Sequence, residues 1–266
     1  MTDERLRAWL DFYQELGLTP FFRRRTLRAT RVGAKEEEPV AEISKQIAPP
    51  PASSHPVAEA LIRPTPTTTL SLFGEPSAPV EEETLEQVRA DLGDCQRCKL
   101  APHRRKIVFG EGSPNAQLVF IGEGPGAEED AQGLPFVGRA GRLLNHWIES
   151  LGLARADVYI CNIIKCRPPG NRTPERDEIE TCSPFLLRQL AAIRPKLVCC
   201  LGGVALKMLL GRSVSITRVR GQFFDSHGSK LFATFHPAYI LRNPNADRQA
   251  QEDLRTIRQF LSGRPA

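Results

Sequence analysis

No uncharged apolar run in this chain of 266 residues exceeds residues 197–206, a stretch too short to span a bilayer. A membrane protein is not expected. The opening residues, Met-Thr-Asp-Glu-Arg-Leu-Arg, contain no apolar core leading into small residues, so no secretory signal is expected and the cytoplasm is the expected compartment. A disulfide framework is absent for two reasons: seven cysteines cannot pair completely, and a reducing compartment disfavours pairing at all. Metal binding or plain burial is what remains for them. With 41% hydrophobic and 25% charged residues the composition is that of a globular protein, and the length leaves room for one large or two small domains.

Charge is unevenly spread. Residues 1–84 carry 10 basic and 13 acidic side chains, a net of −3, whereas residues 85–266 carry 26 and 18, a net of +8. The basic part favours a polyanionic partner, although a surplus of this size is also common on solvated surfaces.

Nine of the 22 prolines lie between Pro39 and Pro79, among Ala, Ser, Thr and Glu. Such a stretch buries too little apolar surface to offset its ordering entropy, so residues 30–83 read as a disordered Pro-rich linker. Before it, Leu6, Trp9, Leu10, Tyr13 and Leu16 recur near helical spacing, which predicts an amphipathic helix within residues 1–29. It is followed by the basic tract Arg23-Arg24-Arg25 and reads equally as a docking helix for a protein partner or DNA and as a helix packed on its own domain.

From about residue 84 the pattern changes. Residues 117–122, 158–164, 196–201 and 231–235 are short apolar or β-branched runs suited to buried parallel strands. Helical candidates lie at 138–151, 174–193, 204–210 and 246–261. The alternation predicts an α/β fold for residues 84–266, three layers (α/β/α) around a central, mostly parallel four-stranded sheet. Ligands of such sheets bind beyond the carboxyl ends of the strands. The segments to search are therefore Gly122-Glu123-Gly124-Pro125-Gly126, Asn162 to Arg167, Gly202-Gly203 and His236-Pro237-Ala238-Tyr239.

The glycine-rich segment after the first strand lacks the Lys-Ser/Thr of a P-loop and the GxGxxG spacing of a dinucleotide fold, which disfavours a nucleotide cofactor. Cys95-Gln96-Arg97-Cys98 has the spacing at which two thiolates of one turn reach one metal. Cys166 and Cys182 lie in polar surroundings, while Cys161, Cys199 and Cys200 lie inside strand-like runs and read as core residues. On composition, the four thiols Cys95, Cys98, Cys166 and Cys182 suit either a four-cysteine zinc site or a four-iron four-sulfur cluster. A second Cys-x2-Cys pair would have favoured a zinc ribbon, and none is present.

Three further stretches are more specific: Glu128-Glu129-Asp130 with 133–141, reading Gly-Leu-Pro-Phe-Val-Gly-Arg-Ala-Gly; 162–172, reading Asn-Ile-Ile-Lys-Cys-Arg-Pro-Pro-Gly-Asn-Arg; and 236–244, reading His-Pro-Ala-Tyr-Ile-Leu-Arg-Asn-Pro. Together, over about residues 84–262, they resemble the family 4 uracil-DNA glycosylases. The resemblance implies one four-iron four-sulfur cluster on Cys95, Cys98, Cys166 and Cys182, so it favours iron where spacing did not decide. A related branch that crosslinks to uracil-containing DNA carries a basic insertion with a histidine after the second motif. Here residues 168–175 contain none, and crosslinking is not expected. A broader-specificity branch has an apolar residue where Glu123 stands, so strict uracil preference is expected.

What the resemblance implies about roles agrees with what the residues can do. A base must leave the stack before its glycosidic bond can be reached. Asn162 can donate to uracil O4 and accept from N3–H, whereas cytosine reverses both partners. Phe136 would supply the stacking face, though on residues alone it reads as core, and Glu129 joins these two in binding substrate. His236 and the backbone N–H groups near Gly124 would face the charge that develops on uracil O2, although a histidine before proline is more often structural. In the best-known uracil glycosylases an aspartate positions the water. Gly124 stands at that position here, which leaves Glu123, the 128–130 cluster or a water held by backbone groups. Gly202, Ile240, Leu241 and Arg242 are expected to contact DNA, Ile240 and Leu241 as an apolar wedge. The chemistry expected is hydrolytic removal of uracil from single- or double-stranded DNA by a monomer. The competing expectation is a non-catalytic iron–sulfur DNA-binding protein on the same fold.

Overall fold

The computed structural model describes residues 83–226 and 228–263. The expected N-terminal helix and all of the expected linker but Glu83 lie outside the described residues. The Glu83 carboxylate accepts from Arg188, with one contact of 2.8 Å, so the folded unit includes it.

In chain order the elements are α1 (Leu85–Leu92), β1 (Glu111–Gly112), β2 (Leu118–Gly122), α2 (Ala127–Gln132), α3 (Arg139–Ser150), β3 (Tyr159–Asn162), α4 (Arg176–Ile193), β4 (Leu197–Leu201), α5 (Gly203–Leu210), α6 (Ile216–Val219), β5 (Phe223–Ser226), β6 (Ser229–Thr234), α7 (Pro237–Arg242) and α8 (Asp247–Leu261). The sheet has six strands in the order β1-β3-β2-β4-β6-β5. Its inner four, β3, β2, β4 and β6, are parallel. This is the expected parallel core. Two antiparallel edge strands, β1 and β5, extend the expected four-stranded sheet. Neither was readable beforehand: β1 is two residues long, and β5 is only half-buried, so neither presents an apolar run.

Helices cover both faces, so β2, β3 and β4 are buried at every position. Successive side chains still alternate between faces. Cys199 joins Phe120, Ile160 and Phe232 in packing under Trp147 of α3 and Leu254 of α8. Cys200, one residue on, joins Val119, Cys161 and Val198 under Leu186 and Leu190 of α4 and Leu206 of α5. A smaller cluster of Val88, Leu92, Phe109 and Phe185 seats α1 on α4. That helix begins with a capping box, Thr84 accepting from the Gln87 N–H and the Gln87 side chain returning to the Thr84 N–H.

The topology places the site. The chain leaves β2 for β3 on one side and returns to β4 on the other, so the connections diverge at the carboxyl end of β2. Gly122 ends level with Asn162 across the β2–β3 pair, and Leu201 with Thr234 across β4–β6. Four loops therefore leave the same edge of the sheet.

Candidate active site and cysteine pocket

A cavity of about 400 Å³ opens at that edge, lined by Glu123, Gly124, Glu129, Phe136, Asn162 and His236, and by Arg242 at its rim. Residues from loops far apart in sequence thus meet around one space large enough for a small ligand.

Asn162 ends β3 and is only 1% exposed, yet its side-chain oxygen has no hydrogen-bond partner. A buried acceptor left unpaired costs roughly 1–3 kcal/mol, so a donor from outside the chain is what this atom lacks. Gly122 lets that oxygen and the Phe136 ring approach, because a Cβ there would meet the two at 2.4 and 2.6 Å. Phe136 is 5% exposed and stacks on the His236 ring, with centroids 5.5 Å apart and planes inclined by 30°.

His236 caps α7: its Nδ1 accepts the Ala238 N–H at 3.1 Å, which leaves the proton of the neutral ring on Nε2. Burial, aided by the nearby Arg242 charge, pushes its pKa down to about 4. The imidazole is neutral at physiological pH. Gly202 makes room beside it, turning at φ +93° where a Cβ would lie 3.3 Å from that of His236. The Gly202 N–H is already given to the Thr234 carbonyl at 2.9 Å, so the open donors at the start of α5 belong to the residues that follow it.

The acidic residues separate clearly. Glu129 spends its carboxylate on backbone: Oε2 accepts from Gly126 N–H at 3.1 Å, and Oε1 from Val137 and Gly138 N–H at 2.9 Å each. It lines the cavity and at the same time ties the loop after β2 to the turn that carries Phe136. Asp130 is buried and accepts from the Arg105 N–H at 2.8 Å. Glu128 does not line the cavity, whereas Glu123 does. Burial raises the Glu123 pKa, partly offset by a hydrogen bond from Thr173. Gly124 has no room for a side chain, since a Cβ would meet Ile164 at 2.8 Å.

Of the two side chains expected to form the wedge, Ile240 is 0% exposed and packs in the core. Leu241 is partly exposed beside that core, and Tyr239, 36% exposed, lays its ring on Phe235 at 4.9 Å. One turn of helix carries both kinds of side chain, and sequence gave no means of telling which faced inward.

Cys95 and Cys98 follow α1, Cys166 follows β3, and Cys182 lies in α4. All four line one small apolar pocket with Leu92, Ile107 and Phe185. The Arg104 guanidinium reaches Cys166 Sγ at 3.7 Å, and the Lys165 backbone N–H reaches Cys182 Sγ at 3.3 Å. Among the described residues, no three or more Cys, His, Asp or Glu side chains gather as closely as a single metal ion requires. Cys161, Cys199 and Cys200 are 0% exposed within the strands, as their setting in sequence suggested.

Sequence reasoning passed over several residues. Thr173, Asn171 and Arg172 line the cavity, and Arg172 is anchored by the fully buried Glu178 at 2.5 and 2.8 Å. Lys165, 1% exposed, donates from Nζ to the Asn162 carbonyl at 2.8 Å and to Gln189 at 2.6 Å, steadying the end of β3. Asn171, Arg172 and Lys165 all sit inside the 162–172 stretch, whose sequence marked the place without assigning these roles.

Comparison with known proteins bears on the same region. Residues 109–260 match the model of the Uracil DNA glycosylase superfamily. A type-4 uracil-DNA glycosylase of Thermotoga maritima is 46% identical over 184 residues, covering 68% of this chain and 96% of the relative. One from Saccharolobus solfataricus is 44% identical over 192 residues, covering 69% and 89%.

Proposed function

This chain belongs to the uracil-DNA glycosylase superfamily and within it to the type-4 enzymes, and on that premise we propose that it flips uracil out of DNA and hydrolyses its glycosidic bond, leaving an abasic site for repair. The observation that carries this reading is the unpaired, buried Asn162 oxygen beside the Phe136 ring. Uracil N3–H supplies the missing donor. The unprotonated N3 of cytosine would face that oxygen acceptor to acceptor.

The flipped base stacks on Phe136, an interaction of about 1–3 kcal/mol. As the C1′–N1 bond breaks, its electron pair moves into uracil and charge gathers on O2, while the sugar gains oxocarbenium character. His236 holds its proton on Nε2, the nitrogen free to donate to that oxygen. A neutral imidazole suits the role because it donates without being consumed as an acid. Water then attacks C1′. Glu123 is the acidic side chain of the cavity not spent on backbone, and its raised pKa makes it the better base for the water's proton. Arg242, on the cavity wall, is read as a contact to the DNA backbone, and the partly exposed Leu241 as the side chain that enters the gap in the stack. All these groups come from one chain, so a monomer suffices.

The family implies a four-iron four-sulfur cluster. Four thiols lining one small pocket, with N–H donors on two of the sulfurs, fit the thiolate ligation such a cluster needs. When bound, Cys95, Cys98, Cys166 and Cys182 would hold it, and its iron–thiolate bonds would fasten three distant segments together. A purely DNA-binding role has no use for an orphaned acceptor, a stacking ring and a neutral histidine around one cavity. The test is to incubate the protein with uracil-containing single and double strands and to assay both free uracil and alkali-labile sites. Both should appear in equal amounts, with the strand intact until alkali is added. Absence of free uracil from either substrate overturns the reading.

A further inference from the structure

We propose that Arg155, outside the cavity, is a positioning residue that sets the Phe136 ring in its base-stacking attitude. The inference rests on Phe136 being the stacking face. Phe136 is one of three non-glycine residues in the left-handed region among those described, at φ +51°. An unbranched aromatic residue there costs of the order of 1–2 kcal/mol, so its surroundings must hold it. They do so from both sides. Glu129 takes the N–H groups of Val137 and Gly138, while Arg155 takes the carbonyls of Pro135 and Phe136, at 2.5 and 3.4 Å. Gly141 lets α3 pass beneath, since a Cβ there would lie 1.8 Å from the Phe136 carbonyl oxygen.

Arg155 is itself aimed. Its Nε and one terminal nitrogen grip a single oxygen of Glu111, at 3.1 and 2.8 Å, and the other terminal nitrogen meets Asn145 Oδ1 at 2.8 Å. Glu111 stands on β1, the short edge strand, and Asn145 on α3. A planar guanidinium with every arm engaged is a rigid bracket, which a flexible lysine could not replace. The edge strand thus orients the arginine that orients the ring, a second layer of support of the kind that precise sites need.

The decisive experiment compares wild type, Phe136→Leu, Arg155→Met and the double variant. It measures inhibition of excision by free uracil, affinity for duplex carrying a tetrahydrofuran abasic analogue, and melting temperature. Each single variant should weaken uracil inhibition about 5- to 100-fold, the range of one stacking contact, and the double variant should be no worse than Phe136→Leu by more than about twofold, because both remove the same interaction. For Arg155→Met, affinity for the abasic analogue, which presents no base, should stay within about twofold of wild type. Uracil inhibition left unchanged in Arg155→Met beside a lowered melting temperature makes Arg155 merely structural and overturns the proposal. Fully additive losses in the double variant overturn it too. If Phe136→Leu itself leaves uracil inhibition unchanged, the stacking reading fails and this proposal falls with it. Should Arg155→Met not fold, Glu111→Gln releases the same bracket: a smaller weakening of uracil inhibition supports the proposal, and none overturns it.

Discussion

At the scale of single residues, two atoms carry the proposed chemistry, Asn162 Oδ1 and His236 Nε2. Asn162→Asp replaces the amide donor facing O4 by a carboxylate oxygen, so uracil excision should slow or its margin over cytosine shrink; single-turnover rates on matched uracil and cytosine strands decide this, and unchanged values would remove Asn162 from base reading. His236→Ala should cost about a hundred- to a thousandfold in rate, as loss of one oxyanion donor does, while a drop below about threefold would make the histidine structural. The same ring has a thermodynamic signature. Its folded pKa of about 4 lies below the ordinary 6.5, so between those values the unfolded chain binds the extra proton, and stability falls as pH falls. His236→Gln abolishes that uptake. Acid melts from pH 7 to 4.5 should therefore show wild type losing more stability than the variant, and parallel curves would contradict the buried neutral ring.

At the scale of elements, the legible parts were those whose burial is two-sided. Apolar runs such as Leu197–Leu201 can only be inner strands, and the amphipathic stretches of α3, α4 and α8 declare helices. Elements held by tertiary context alone were not legible: β1 owes its place to pairing with β3, and α7 hides Ile240 while leaving Leu241 partly open. The loops that carry the site were legible as places, from the strand ends they follow. Individual roles were less so. Glu129 drew attention because it lies in a motif, and the three N–H groups that claim its carboxylate, on Gly126, Val137 and Gly138, stand on either side of α2 and carry no mark in sequence. Two predictions belong here. Leu241→Ala should reduce excision from duplex more than from single strands, because only a duplex has a stack to hold open, and equal losses with a lowered melting temperature would make Leu241 core packing. Cys166→Ala or Cys182→Ala should lose iron, visible absorption and solubility together, since a metal site that joins distant segments contributes folding free energy, whereas Cys199→Ala should keep its iron. Zinc without iron in the wild type would contradict the cluster.

At the scale of the whole molecule, the cavity at one sheet edge and the cysteine pocket are linked through the chain. The 166–182 segment joins the two: it starts and ends on pocket thiols and between them supplies Pro168, Asn171, Arg172 and Thr173 to the cavity wall. Sequence could place four cysteines and four strand ends on a list of candidates, but only the parallel order β3-β2-β4-β6 brings the loops of three strands around one space. Uracil recognition is tested by single-turnover excision with the wild-type protein on oligonucleotides identical except for uracil, cytosine or thymine at one position. Alkali-labile breaks should appear at uracil alone. No breaks at uracil, or comparable breaks at cytosine, would contradict that recognition.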